Sequence, residues 1–301
     1  MRAKLMLGTC EDHWLWSDDP RFDGITFFVS RNRFARRKKK MPRALHPFAM
    51  DSGGYTELQR HGRWRSTPQE FVDEVRRYIE QLGDDMVLWL APQDWMTEPW
   101  TIFGGWHDGQ HFVGTREARG LGPDDPEQDL TTAVRIHIRY TVDNFLELRR
   151  IAPDLRIIPV LQGQSLDDYK YCASLYEAAG IDLTAEPVVG LGSVCRREAS
   201  IEIAELVAYF TDRGLSLHGF GVKSSGLSLY GNELVSADSQ AWSFGARRRK
   251  PGPDGDRRLP GCIHKAQTCA HCPEAATQWY RRTLAGARPD AGWQMTLDMA
   301  A

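Results

Sequence analysis

Residues 157–179 read IIPVLQGQSLDDYKYCASLYEAA. The first six are a short apolar, β-rich run, which reads as a strand. From Leu166 to Ala179 apolar residues recur at three- and four-residue spacing, which reads as an amphipathic helix. A strand leading into such a helix is the repeating unit of a parallel sheet. Working outward, β-rich apolar runs stand at 4–7, 25–29, 48–51, 86–91, 187–192, 217–222 and 234–238, and helical patterns at 68–82, 141–151 and 201–213. Eight strands alternating with helices predict an α/β fold, a (β/α)8 TIM-like barrel. No internal repeat exceeds this alternation.

A chain of 301 residues with 42% hydrophobic content has enough apolar surface for a substantial core. The predicted organisation is a barrel domain over 1–245 and a C-terminal zinc-binding module over 246–301. A Gly-, Asp- and Pro-rich stretch, about 100–129, reads as an insertion or lid after the fourth strand. The turn-rich 252–256 marks the passage into the module. No apolar run approaches the roughly 20 residues that cross a bilayer, and the N-terminus lacks a signal-peptide pattern. A cytoplasmic protein is therefore expected, with its six cysteines reduced. Of these, Cys10, Cys172 and Cys195 are scattered and read as small buried hydrophobes.

Three further cysteines and a histidine, Cys262, His264, Cys269 and Cys272, fall within eleven positions as C-x-H-x4-C-x-x-C. Thiolate and imidazole ligands this close suit one tetrahedral Zn²⁺. A four-ligand shell leaves no open position for water, so the metal is expected to hold structure. His271, inside the C-x-x-C, is an alternative fourth ligand.

The net charge is only −2, but the cations are clustered. Arg31, Arg33, Arg36, Arg37, Lys38, Lys39, Lys40 and Arg43 occur with no acid among them, and Arg247, Arg248, Arg249 and Lys250 follow a strand-end aspartate, Asp238. Such blocks suit a polyphosphate backbone, where binding releases counterions. A solvated basic face is the alternative. Two blocks flanking the candidate site residues favour nucleic acid.

Barrel enzymes carry their chemistry at the C-terminal strand ends. Here those ends read Asp51-Ser52-Gly53-Gly54-Tyr55, Ala91-Pro92-Gln93-Asp94-Trp95, Gln162-Gly163, Gly190-Leu191-Gly192, Gly219-Phe220-Gly221 and Ala237-Asp238-Ser239. A carboxylate after an apolar strand is costly unless paired or used. Taken singly, Asp51 also fits a turn residue and Asp238 a helix cap. Three on one rim point to a site. His13, Cys10 and Trp14, near the first strand end, read as packing residues.

The Asp51-Ser52-Gly53-Gly54-Tyr55 segment resembles the Asp-Ser-Gly-Gly-aromatic signature of the tRNA-guanine transglycosylases and their DNA-modifying relatives. The match continues in order through Asp94, Val160-Leu161-Gln162-Gly163, Val189-Gly190-Leu191-Gly192, Gly219-Phe220-Gly221-Val222, Asp238 and the zinc tail, spanning about residues 8–280. Within that superfamily the chain is most similar to the DNA deazapurine-modification branch, the DNA-guanine transglycosylases. His264 sits inside the cysteine cluster, and Ser239-Gln240-Ala241-Trp242-Ser243 replaces the Pro-Thr-Arg segment of the tRNA enzymes. Both departures weigh against tRNA as the polymer.

The resemblance implies a structural Zn²⁺ and exchange of guanine in DNA for a 7-deazaguanine base such as 7-cyano-7-deazaguanine. It also assigns roles. Asp238 is the nucleophile that forms a covalent glycosyl intermediate, and Asp51 the general acid/base. Asp94 and Gln162 read the base edge, and Ser52 and Gly53 belong to the same base site. Gly190 and Gly192 admit a flat base, and Tyr55 or Trp95 stacks on it. The target nucleotide must be flipped or single-stranded, with Arg36, Arg37, Lys38, Lys39, Arg247, Arg248 and Arg249 holding phosphates. Accessory DNA-modification proteins are possible partners. The alternatives are tRNA as acceptor, base exchange on free nucleosides or nucleotides, and a non-catalytic zinc protein that binds nucleic acid.

Overall fold

The computed structural model describes residues 4–9, 11–122, 125, 128–194, 200–253 and 255–286. Cys10 and Cys195 lie outside the described residues, as do parts of the insertion and the C-terminal end of the module.

Eight parallel strands form one sheet: β1 (Lys4–Thr9), β2 (Phe27–Ser30), β3 (Phe48–Asp51), β4 (Val87–Leu90), β7 (Val160–Leu161), β8 (Val189–Leu191), β9 (Leu217–Gly219) and β10 (Ser236–Ser239). Their order is β4-β3-β2-β1-β10-β9-β8-β7. Each of the eight runs picked out in the sequence overlaps one of these strands, and β1, β2 and β10 extend past the end of their runs. The sheet curls until its outer strands meet. Leu90 forms a parallel bridge with Ile157, its N–H donating to the Arg156 carbonyl at 2.9 Å and its carbonyl accepting from Ile158 at 3.0 Å. Pro159 supplies no N–H, which is why the ladder stops there and β7 is only two residues long. This architecture is compatible with the expected (β/α)8 barrel.

Alternation along the strands sorts their side chains between two cores. Leu5, Leu7, Phe27, Val29, Phe48, Met50, Leu217 and Ala237 join the large core between sheet and helices. Met6, Ala49, Trp89, Ala91 and Ile158 form a small core inside the curl, packed by Phe28 and Phe220. The second set also sets the direction of Asp51 and Asp238, which share the inward register of Ala49 and Ser236.

Helix α2 (Pro68–Leu82) has the predicted bounds, with a Thr67–Glu70 capping box and Pro68 in its first turn. Helices α6 (Leu166–Ala178) and α7 (Ile201–Thr211) also follow the sequence pattern. Helix α5 (Leu130–Ile151) starts well before Thr141, because Asp129 caps it by accepting from Thr132 N at 2.9 Å. Among the described residues the first two crossovers carry only 3₁₀ turns in place of helices. The insertion folds as α3 (Pro99–Phe103), a hairpin of β5 (Gly105–His107) and β6 (Gln110–Phe112), and α4 (Thr115–Ala118). It docks on α1 (Gly54–His61) through Val113 N to the Gln59 carbonyl at 3.0 Å.

Among the described residues three helices follow β9: α8 (Ser224–Tyr230), α9 (Ala241–Arg248) and α10 (Pro273–Gly286). Ala276 and Tyr280 of α10 join the large core, and the Tyr280 hydroxyl donates to the Leu5 carbonyl at 3.1 Å. Cys172 is buried in that core, as expected of a scattered cysteine that acts as a small hydrophobe. Among the described residues no helix is long and apolar enough to cross a membrane.

Candidate active site

The mouth of the curled sheet gathers three aspartates. Asp51 ends β3 and accepts from Gly53 N at 3.0 Å. The chain turns immediately after it: Gly53 has φ +83°, and a Cβ there would meet the Asn32 side chain at 2.4 Å. Ser52 is buried beside it, and its hydroxyl has no hydrogen-bond partner among the described residues. The Ser52 carbonyl accepts from Arg31 Nε at 2.6 Å. Arg31, which the sequence groups with the basic run, is thus buried beneath the mouth, paired with Glu74 and lying 5.3 Å from the Phe71 ring.

Asp94 follows β4. Its Oδ2 accepts from Gln162 Nε2 at 2.6 Å, and its carbonyl from Trp64 Nε1 at 3.1 Å. Gln162 Oε1 in turn accepts from Ser193 Oγ at 2.7 Å. Ser193 holds a left-handed backbone, φ +54°, and is also 3.1 Å from Thr97 N and from Glu98 Oε2. Both carboxyl groups resist ionisation. Burial pushes Asp51 up against hydrogen bonds from Ser30 and Gly53, and the charge of Asp238 adds to the effect. Burial likewise pushes Asp94 up to about 7, opposed by the Gln162 amide and assisted by the charge of Asp51.

Asp238 lies in β10 and is nearly buried. Its Oδ1 accepts from Gly221 N at 2.9 Å and lies 3.3 Å from His218 Nε2. His218 Nδ1 is 2.8 Å from Ser236 Oγ. The imidazole is wholly buried, 4.6 Å from the Trp89 ring and flanked by Phe28 and Phe220.

The other sequence candidates divide. A Cβ on Gly190 would lie 2.5 Å from the Phe220 ring, and one on Gly192 would lie 2.4 Å from the Gln162 amide nitrogen. Both glycines therefore make room for side chains of the mouth itself. Tyr55 is committed to the hairpin, its hydroxyl donating to Gln110 and its ring edge-on to Phe112. Trp95 packs against Tyr140 and His137 of α5.

Arg36, Lys38 and Lys39 are exposed, whereas Arg37 holds Asp12 through two hydrogen bonds of 2.6 and 2.7 Å. Lys38, Lys39 and Lys40 line a cavity of about 410 Å³ with Arg77, beside the last turn of α2. Arg247 and Arg248 are exposed in the last turn of α9. Arg257 ties their segment down by donating to the Arg247 and Arg249 carbonyls.

The sequence reading missed His218, Ser193, Trp64 and Glu98. Only His218 left a signal, as a single histidine in an otherwise apolar strand. The others reach the mouth from loops whose path no periodicity encodes.

The ligand atoms of Cys262, His264, Cys269 and Cys272 all lie within 4.8 Å of one another. Cys262 Sγ and Cys272 Sγ are 3.8 Å apart, and His264 Nε2 is 3.4 Å from Cys269 Sγ. Zn–S bonds of about 2.3 Å at tetrahedral angles place two sulfurs about 3.8 Å apart, so the set has the spacing of a zinc shell. Burial and the two neighbouring thiols push Cys262 up to about 12, a cost that a central cation removes. His264 lies within the thiol cluster, whereas His271 stands outside it and binds Glu11 just past β1. The set can hold a metal ion.

A rim of carboxylates on a curled parallel sheet, with a Cys3His corner beyond the last strand, is the arrangement of a tRNA-guanine-transglycosylase-like protein. The chain belongs to the DpdA family, DeoxyPurine in DNA protein A, whose model matches residues 1–109 and 125–297. It is accordingly a transglycosylase of DNA deazapurine modification. The unmatched interval, 110–124, falls in the insertion that carries β6 and α4. No curated protein matches the chain.

Proposed function

We propose that the protein replaces guanine in DNA with a 7-deazaguanine base such as 7-cyano-7-deazaguanine, through a glycosyl-aspartate intermediate on Asp238. The observation that carries this reading is the pairing of Asp51 and Asp238 across one mouth in unlike environments. Asp238 attacks C1′ of the target nucleotide while the C1′–N9 bond breaks through an oxocarbenium-like transition state. Asp51, whose proton affinity burial raises, gives its proton to the departing guanine. The deazaguanine then enters, loses its N9 proton to Asp51, and displaces Asp238 from C1′. Two displacements give net retention.

Asp94 and Gln162 stand where they can read the base edge, once the heterocycle replaces their mutual hydrogen bond. Ser52, whose hydroxyl has no partner among the described residues, and the backbone at Gly53 complete the base site, and Gly190 and Gly192 shape it by making room for Phe220 and Gln162. Tyr55 limits it on the hairpin side. The nucleotide reaches the mouth flipped or single-stranded. Arg36, Lys38, Lys39, Arg247, Arg248 and Arg249 hold phosphates of the flanking strand, and Arg37 joins them to the extent that it leaves Asp12. Zn²⁺ on Cys262, His264, Cys269 and Cys272 braces the module that carries the second basic block.

The test is nucleoside mass spectrometry of plasmid DNA and bulk tRNA after incubation with the protein and 7-cyano-7-deazaguanine. Deazaguanine should appear in DNA, and Asp238→Ala should lower its rate of incorporation by about 10⁴-fold or more. Incorporation into tRNA alone would overturn DNA as the acceptor. Full activity in Asp238→Ala would overturn the covalent route.

A further inference from the structure

Nothing in the mechanism so far uses His218, yet it is the side chain that meets the nucleophile. We infer that His218, oriented by Ser236, is a positioning residue: it clamps Oδ1 of Asp238 so that Oδ2 faces the sugar. This inference rests on the proposed base exchange and names a residue that the exchange needs.

The argument begins with what a buried imidazole can do. In its neutral form one ring nitrogen donates and the other accepts, and the partner of one fixes the role of the other. Ser236 Oγ, at 2.8 Å, can donate to Nδ1. The proton then sits on Nε2, which faces Asp238 Oδ1 at 3.3 Å. Gly221 N donates to the same oxygen at 2.9 Å. Among the described residues, both donors reach Oδ1 and none reaches Oδ2. One oxygen is therefore anchored from two directions, and the other is left to attack.

The surroundings make the clamp stiff. His218 is wholly buried, with Trp89 edge-on at 4.6 Å and with Phe28 and Phe220 at 5.7 and 4.9 Å. Such a close-packed cage leaves the ring one orientation. The register of β9 and β10 supplies the rest: Ser236 lies opposite His218, so Ser236, His218 and Asp238 share the inward face of adjacent strands. Near-attack geometry is where such rigidity contributes, because a displacement of about 1 Å can cost about 10²-fold in rate.

His218→Leu and His218→Gln separate positioning from folding. Leucine fills the apolar cage without a donor, whereas the glutamine amide can restore an N–H toward Asp238. Exchange into DNA is measured with 7-cyano-7-deazaguanine, reading kcat and KM for the base separately, alongside Tm. His218→Leu should lose about 10²-fold in kcat with KM within threefold of the parent and Tm preserved, and His218→Gln should recover at least tenfold of that loss. Ser236→Ala should show a smaller loss of kcat, again at constant KM. A His218→Leu enzyme with parental kcat overturns the clamp, as does a His218→Gln enzyme that is folded and no faster than the leucine variant. If His218→Leu does not fold, His218→Ala with added imidazole and Ser236→Ala decide, and parental kcat in both, without imidazole, overturns it. Lack of exchange by the parent protein overturns the proposed function itself, which distinguishes that failure from failure of the clamp.

Discussion

The two sides of the mouth treat their carboxyl groups differently. On the β3–β4 side, burial outweighs the donors that reach Asp51 and Asp94 and holds both above the usual carboxyl range. On the β9–β10 side, the Gly221 N–H and the His218 imidazole converge on one oxygen of Asp238. Unlike environments for neighbouring titratable groups are how one site obtains both an acid and a nucleophile. The contrast teaches that the proposed roles rest on environments, since the three side chains are chemically the same.

Substitution at Asp51 should strain this comparison most. Asp51→Asn preserves shape and cannot shuttle a proton, so exchange should fall by about 10²–10⁴-fold. Single-turnover kinetics with quench-gel detection of the protein–DNA adduct will show whether the covalent step still occurs. Parental rates in that variant would remove Asp51 from acid–base chemistry and erase the distinction between the two sides.

The pH response of Asp94 sharpens the comparison further. Its folded carboxyl releases its proton at about 7, against an ordinary value of 3.8. If the ionised form reads the base, KM for the incoming deazaguanine should rise about tenfold per pH unit below about 7. The stability consequence has the opposite sign. Between those two values the native state holds a proton that the unfolded chain has lost, so stability is greater at acidic pH and declines as pH rises through the window. Asp94→Asn should flatten that decline and gain Tm at pH 8 relative to pH 5, as read by calorimetry. An unchanged KM from pH 5 to 8 would place base recognition elsewhere.

The smallest effect on chemistry should come from the metal corner. Metal analysis should find one zinc per chain, and Cys262→Ser should lower zinc content and Tm together. Hydrogen exchange should then rise in β1, β10 and α9, which lie near the module, and stay level in β3 and β4. His271–Glu11 and Ser243–Ala270 are the contacts that convey the loss. Equal deprotection on both sides would mean that the mouth unfolds as one body. A Cys262→Ser protein with full zinc would remove that residue from the ligand set.

Much of this could be read directly along the chain. Strand positions followed from apolar runs, because a strand in a parallel sheet is buried on both faces. Asp51, Asp94 and Asp238 were visible because a carboxylate at the end of an apolar run stands out from its neighbours. Helices α1 and α8 were not, since runs of seven or eight residues hold too few turns to show a period. The start of α5 was hidden by a polar first turn, where a cap rather than an apolar stripe sets the boundary.

By itself, the sequence determined the eight strand runs, the rim on which the carboxyl groups stand and the thiol–imidazole set near the C-terminus. These are local facts, carried by periodicity and by spacing along one chain. Only the tertiary structure decided that Arg31 leaves the basic run to support Ser52, that Arg37 pairs with Asp12, and that His264 rather than His271 lies among the three thiols. It alone placed His218 against Asp238 and gave Asp51 and Asp94 their raised affinity for protons. Partners and dielectric surroundings come from residues far apart in the chain, and neither exists until the sheet has curled.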